Sequence, residues 1–115
     1  MNKISIIIPA AGGGKRLGLD YPKELFEIEK GKKLIDFSLK HINDFAENNT
    51  DFKVRIVLII TSLKEDIFSY VLSVISSKIE IVKCYFNEEY SEWPGSIYSG
   101  KDSYCAKNIV LLPDP

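Results

Sequence analysis

The residues best suited to chemistry lie in one short stretch, Gly12-Gly13-Gly14-Lys15-Arg16, with Gly18 and then Pro22-Lys23 beyond it. Glycines in a row let backbone N–H groups approach an anion with no Cβ in the way. Arg16 is one of two arginines set against thirteen lysines, and its planar fork suits bidentate contact with phosphate. Lys23, held behind Pro22, adds a point charge. The chemistry on offer is recognition of a phosphate or polyphosphate. Spacing separates the stretch from two commoner phosphate loops. A Walker A loop runs Gly-Lys-Ser/Thr, whereas Gly14-Lys15 continues into Arg16 and offers no hydroxyl for magnesium. A dinucleotide fingerprint wants a small residue three positions after Gly14, where Leu17 stands. It also wants a helix opening on its last glycine, but Gly18 to Pro22 read as loop. On these residues alone, Lys15, Arg16 and Lys23 fit solvated loop charges equally well.

The elements that must carry this stretch alternate strand with helix. Ile4 to Ile8 is β-branched and nearly continuous, as a strand buried on both faces should be. Pro9 to Asp20 reads as loop. From Lys33 to Glu47 the apolar residues Leu34, Ile35, Leu39, Ile42 and Phe45 predict an amphipathic helix. Val54 to Ile60 is a second buried strand. Ser62 and Glu65 stand in capping-box relation ahead of a helix with Ile67, Val71, Val74 and Ile75 on one side. Ile79 to Phe86 is a third strand, Pro94-Gly95-Ser96 opens a short helix to about Tyr104, and Asn108 to Leu112 is a fourth strand. This order predicts an α/β fold: a three-layer Rossmann-like sheet, mostly parallel, with helices on both faces. Such sheets bind ligands at the carboxyl ends of their strands. Those ends are Pro9 to Gly18, Thr61-Ser62, Asn87 to Ser96 and Pro113-Asp114.

Composition narrows the class. A chain of 115 residues with 45% hydrophobic and 27% charged residues forms one ordered domain. A net charge of −1 argues against a general grip on nucleic acid or an anionic membrane. Cys84 and Cys105 match neither a disulfide framework nor a zinc site, which suits a reducing cytosol. Ile4 to Ile8 is too short for a signal-peptide core and Ile56 to Ile60 too short for a membrane span, so a cytoplasmic protein is expected.

The stretch Pro-Ala-Ala-Gly-x-Gly-x-Arg-Leu at Pro9 to Leu17, with Pro22-Lys23 following, resembles the signature of the nucleotidylyltransferases that make nucleotide-sugars. The resemblance continues through Leu34-Ile35-Asp36-Phe37-Ser38-Leu39, Pro94-Gly95-Ser96 and Leu111-Leu112-Pro113-Asp114. It implies transfer of a nucleotidyl group from an NTP to a phosphorylated small molecule, most typically a sugar 1-phosphate, with release of pyrophosphate. By the same resemblance the backbone of Ala10, Ala11 and Gly12 meets the base and ribose, and Gly13, Gly14 and Lys15 wrap the triphosphate. Arg16 neutralises the departing phosphates, and Lys23 contacts the α-phosphate and the acceptor. Gly95 and Ser96 lie against the nucleoside, and Asp114 ligates Mg²⁺. Ionised phosphate attacks phosphate, so positioning, cations and metal suffice and no catalytic histidine or cysteine is required.

The family's complete domain is longer. Residues 1–115 are therefore expected to form its nucleotide-binding half, with the fourth strand left as a sheet edge that favours a homo-oligomer or a missing C-terminal half. Lys15 stands where most sugar enzymes carry threonine or serine, which leaves the subfamily open. A cytidylyltransferase acting on phosphocholine or methylerythritol phosphate is one alternative, and a non-catalytic nucleotide-binding or assembly module is another. His41 beside Ile42 reads as an ordinary helix residue. Tyr85 and Phe86 read as packing residues, and Glu88, Glu89 and Glu92 as a solvated acidic face.

Overall fold

The computed structural model describes residues 2–10, 23–87 and 95–111. Its elements are β1 (Asn2–Pro9), β2 (Glu27–Glu29), β3 (Lys32–Lys33), α1 (Asp36–Asn48), β4 (Phe52–Ile60), α2 (Glu65–Val74), β5 (Glu80–Tyr85) and β6 (Lys107–Val110). Short 3-10 helices cover Lys23–Leu25, Ser62–Lys64 and Gly95–Ser103. Four strands form one sheet in the order β5-β4-β1-β6, and every pairing within it is parallel. The result is a mixed α/β fold.

The two central strands are those with the most β-branched residues. Register pairs Ile4 with Val54, Ile6 with Ile56 and Ile8 with Leu58. All six side chains share one face, where they meet Ile35, Leu39 and Ile42 from α1 and its approach and Ile67 and Val71 from α2. Period-two alternation sends the intervening side chains to the opposite face. There Ser5 and Val57 are fully buried. The Ser5 hydroxyl accepts the Cys105 N–H at 2.6 Å, and Gly100 lies so close to Val57 that a Cβ on it would stand 2.8 Å from Cγ1. Arg55, on β4, donates to Glu80 of β5 and to the Ser103 carbonyl at 2.9 Å, which ties the end of the long 3-10 helix to the sheet.

Four expectations are corrected. Helix α1 opens at Asp36 rather than Lys33, because Lys32–Lys33 pairs antiparallel with Glu27–Glu29 around a turn in which Gly31 takes φ +82°. Asp36 is the charge of the helix start, and its carboxylate accepts the Lys33 N–H at 2.8 Å. The capping box does not form. Residues Ser62–Lys64 make a 3-10 turn with no side-chain cap, and the Glu65 carboxylate turns outward to Lys83 and Tyr85. Val74 ends α2 with 42% of its surface exposed, leaving Ile67 and Val71 as that helix's buried stripe. The strand expected over Asn108 to Leu112 runs Lys107–Val110, and that expected over Ile79 to Phe86 is one residue shorter at each end, Glu80–Tyr85. No described helix is long and apolar enough to cross a membrane.

Candidate functional site

The carboxyl ends of the four strands come to one edge of the sheet, and β1, β5 and β6 each hand their chain on through a further sheet-like hydrogen bond. Ala10 N–H donates to Ile59 O at 2.8 Å, Phe86 N–H to Ile60 O at 2.8 Å, and Leu111 N–H to Ile7 O at 2.9 Å. These bonds fix the roots of three expected ligand-binding segments before any loop residue is reached. Sheet growth also reverses here. From β1 the chain adds β4 and then β5 outward on one side, after which β6 returns to the other flank of β1. The adjacent ends of β1 and β6 are thus a topological switch point, the place where open α/β sheets leave a crevice.

Of the residues expected at the site, Ala10 is described in full. It is 1% exposed. Its N–H bonds to Ile59, and its carbonyl accepts the Lys64 Nζ at 3.0 Å. The backbone of Lys23 opens the 3-10 turn Lys23–Leu25, and the backbones of Gly95 and Ser96 open the longer one. The side chains at 23 and 96 lie outside the described residues, as do Ala11, Gly12, Gly13, Gly14, Lys15, Arg16 and Asp114 in full. Two contacts hold the Gly95–Ser103 segment to the sheet and its continuation. Asn87 N–H, just past β5, donates to Ser99 Oγ at 2.9 Å, and Arg55, toward the amino end of β4, grips the Ser103 carbonyl, while the Tyr104 hydroxyl closes the segment on itself by donating to the Ile97 carbonyl.

The structure brings in two residues that sequence reading missed. Among the described residues, Glu24 and Lys64 are the only buried ionisable side chains. Lys64 Nζ lies 3.3 and 3.4 Å from the two Glu24 carboxylate oxygens, besides its bond to Ala10. Removing one member of such a pair strands a charge in the interior, at a cost of about 3–5 kcal/mol. Both residues sit among other charged side chains in the sequence, Lys23-Glu24 and Lys64-Glu65, so periodicity alone cannot tell which member turns inward.

A second polar group rims the same edge. Lys83 Nζ bonds Glu65 at 3.0 Å and stands over the Phe68 and Tyr85 rings at 5.0 and 5.4 Å. Hydrogen bonds from Tyr85 and then Lys83 hold the Glu65 carboxyl below its ordinary pKa. The bond to Glu65, then that to Tyr85, holds the Lys83 ammonium above its own. Tyr85 therefore serves this cluster rather than the core. His41 is exposed on α1. Among the described residues no His, Cys, Asp and Glu side chains gather into a metal-binding group. Among the described residues, the carboxylates of Glu24 and Glu65 at this edge are paired with lysines.

A scan against protein-family models finds no match to this chain, and a search of curated proteins finds none either.

Proposed function

We propose that the chain binds a nucleoside triphosphate at the switch point between β1 and β6 and forms the nucleotide-binding part of a nucleotidylyltransferase. In the full reading the parallel sheet is the middle of a three-layer Rossmann-like domain. The acceptor is a phosphorylated small molecule, of which a sugar 1-phosphate is the leading candidate. The observation that carries the reading is the strand order β5-β4-β1-β6, whose switch point adjoins the root of the glycine- and cation-bearing segment at Ala10.

The chemistry follows from what that segment contains. An ionised oxygen of the acceptor phosphate attacks the α-phosphorus in line, its bond forms as the bond to pyrophosphate breaks, and no proton must be removed by a strong base. Backbone N–H groups from Gly12 to Gly14 and the charges of Lys15 and Arg16 stabilise the leaving pyrophosphate. Lys23 draws the α-phosphate and the acceptor together. Asp114 is a hard oxygen donor of the kind Mg²⁺ takes alongside water and substrate phosphates, and the bound metal would neutralise phosphate charge.

Calorimetric titration with ATP, CTP, UTP and dTTP, with and without Mg²⁺, tests the reading in the wild type and in Arg16→Ala. The expected result is Mg²⁺-dependent binding to at least one nucleotide and about tenfold or greater weakening on loss of the guanidinium. Equal affinity in both proteins overturns the site. Exchange of pyrophosphate into NTP, assayed with nucleotidyl sugars, then separates an enzyme from a module that binds without turnover.

A further inference from the structure

The buried Lys64–Glu24 pair stands where the chain leaves the sheet and where it returns. Lys64 follows β4 through the 3-10 turn Ser62–Lys64, and only 8% of its side chain is exposed. Its ammonium meets the carbonyl of Ala10, the last described residue before positions 11–22, and the carboxylate of Glu24, just after them. One cation therefore joins both ends of the segment that holds the glycines and Arg16. Glu24 is held in turn. Its carbonyl accepts the Ile35 N–H at 2.9 Å, and Leu34 N–H donates to Phe26 O at 2.9 Å, so the β2–β3 hairpin backs the turn that begins at Lys23. Lys23 is the next residue along, its Cα about 3.8 Å from that of Glu24.

Stability does not account for a pair of this kind. Replacing a buried ion pair with apolar side chains of similar volume is often neutral or stabilising. The chain around these contacts is aliphatic, with Ile8 two residues before Ala10 and Ile67 three after Lys64 both fully buried. What apolar residues would not reproduce is a directed tie between the Ala10 carbonyl and the Glu24 side chain. We propose that Lys64 and Glu24 are positioning residues that set Lys23 in register with the carboxyl end of β1, and so fix where the phosphate-binding cation stands. This inference rests on the nucleotide reading above.

The test is a thermodynamic cycle on the full chain using Lys64→Met/Glu24→Met, Lys23→Ala and the triple variant. Each is read by thermal melting and by affinity for the nucleotide that the wild type binds with Mg²⁺. The Met/Met variant is expected to melt within a few degrees of wild type yet bind nucleotide about tenfold more weakly, the order of one lost charge-assisted hydrogen bond. Lys23→Ala should weaken binding to a similar extent, and the triple variant should bind no more weakly than Lys23→Ala alone. Full additivity, or unchanged affinity in the Met/Met variant, overturns the inference. If the Met/Met protein fails to fold, Lys64→Met/Glu24→Gln takes its place in the cycle with the same outcomes, because it too removes both charges and the tie while keeping the shape of the Glu24 side chain. A wild type that binds none of the nucleotides overturns the functional reading itself and this inference with it. Binding by the wild type with an uncoupled cycle overturns the positioning role only.

Discussion

Gly100→Ala tests whether the 3-10 helix Gly95–Ser103 is seated on the sheet as tightly as its contacts indicate. The added methyl would stand 2.8 Å from Val57 Cγ1 and 3.0 Å from Tyr104 Cε1. Ordinary carbon contacts lie at about 3.5–4.0 Å, so the helix or its neighbours must give by roughly 1 Å. Neither neighbour yields easily. Val57 is fully buried, β-branched and registered between Ile7 and Val82, and the Tyr104 hydroxyl is tied to the Ile97 carbonyl. Overpacking of this kind costs about 1–3 kcal/mol. Against it stands the reduced freedom of the unfolded chain when glycine becomes alanine, about 0.4–1 kcal/mol. Overpacking wins, for a net loss of about 1–2 kcal/mol. With an unfolding entropy of about 2.1 cal/mol/K per residue over 115 residues, Tm falls by about 4–8 °C. Calorimetric melting of Gly100→Ala, Val57→Ala and the double variant measures this. The double variant should be destabilised by at least about 1 kcal/mol less than the sum of the singles, since removing the Val57 methyls opens the space the new methyl needs. An unchanged Tm in Gly100→Ala, or strict additivity, would refute the packing.

Two further substitutions test the periphery. Burial first, and then the hydrogen bond to Asp36, push the Tyr70 phenol up to about 12. The folded state thus keeps a proton that the unfolded state releases near pH 10, and the stability this lends is complete below that pH and lost as pH rises toward 12. Urea unfolding at pH 9 and pH 11 should show a smaller drop in Tyr70→Phe than in wild type, and equal drops would refute the linkage. Gly31→Ala meets no atom within 4 Å but must hold φ near +82°. It should lower stability by about 1–2 kcal/mol through backbone strain alone, and a melting curve identical to wild type would show that the hairpin turn relaxes.

The strands were legible because β-branched residues dominate Ile4 to Ile8 and Val54 to Ile60, as they should in strands covered on both faces. Their parallel arrangement followed from the helices between them. The β2–β3 hairpin was not legible. Its strands are only three and two residues long, so the brief alternation Phe26-Glu27-Ile28-Glu29 is too short to mark them, and Lys33 read as the start of a helix. The Ser62–Glu65 spacing misled for a different reason. A capping carboxylate competes with any cation nearby, and β5 delivers Lys83 and Tyr85 to Glu65 from 18 and 20 residues away. A glycine at position 100 weakens any helical pattern, whereas here its lack of a side chain is what lets the segment approach Val57. At the candidate site, the run Ile4 to Ile8 already put Ala10 just past the end of β1. The buried pair beneath it was hidden, because a lysine and a glutamate turned inward are spelled no differently from two turned outward.

The strands flanking the switch point are unequally secured. Strand β1 is paired on both sides from Ile4 to Ile7 and buries five consecutive residues. All four residues of β6 are exposed, with Ile109 and Val110 on opposite faces at 44% and 41%. Local opening is easiest where few apolar contacts must be broken, so amide protons of β6 should exchange long before those of β1. A ligand spanning both strand ends would tether the frayed margin of the sheet to its most rigid member. Part of its binding energy would then go into quieting β6, and occupancy would register as slowed exchange along that margin.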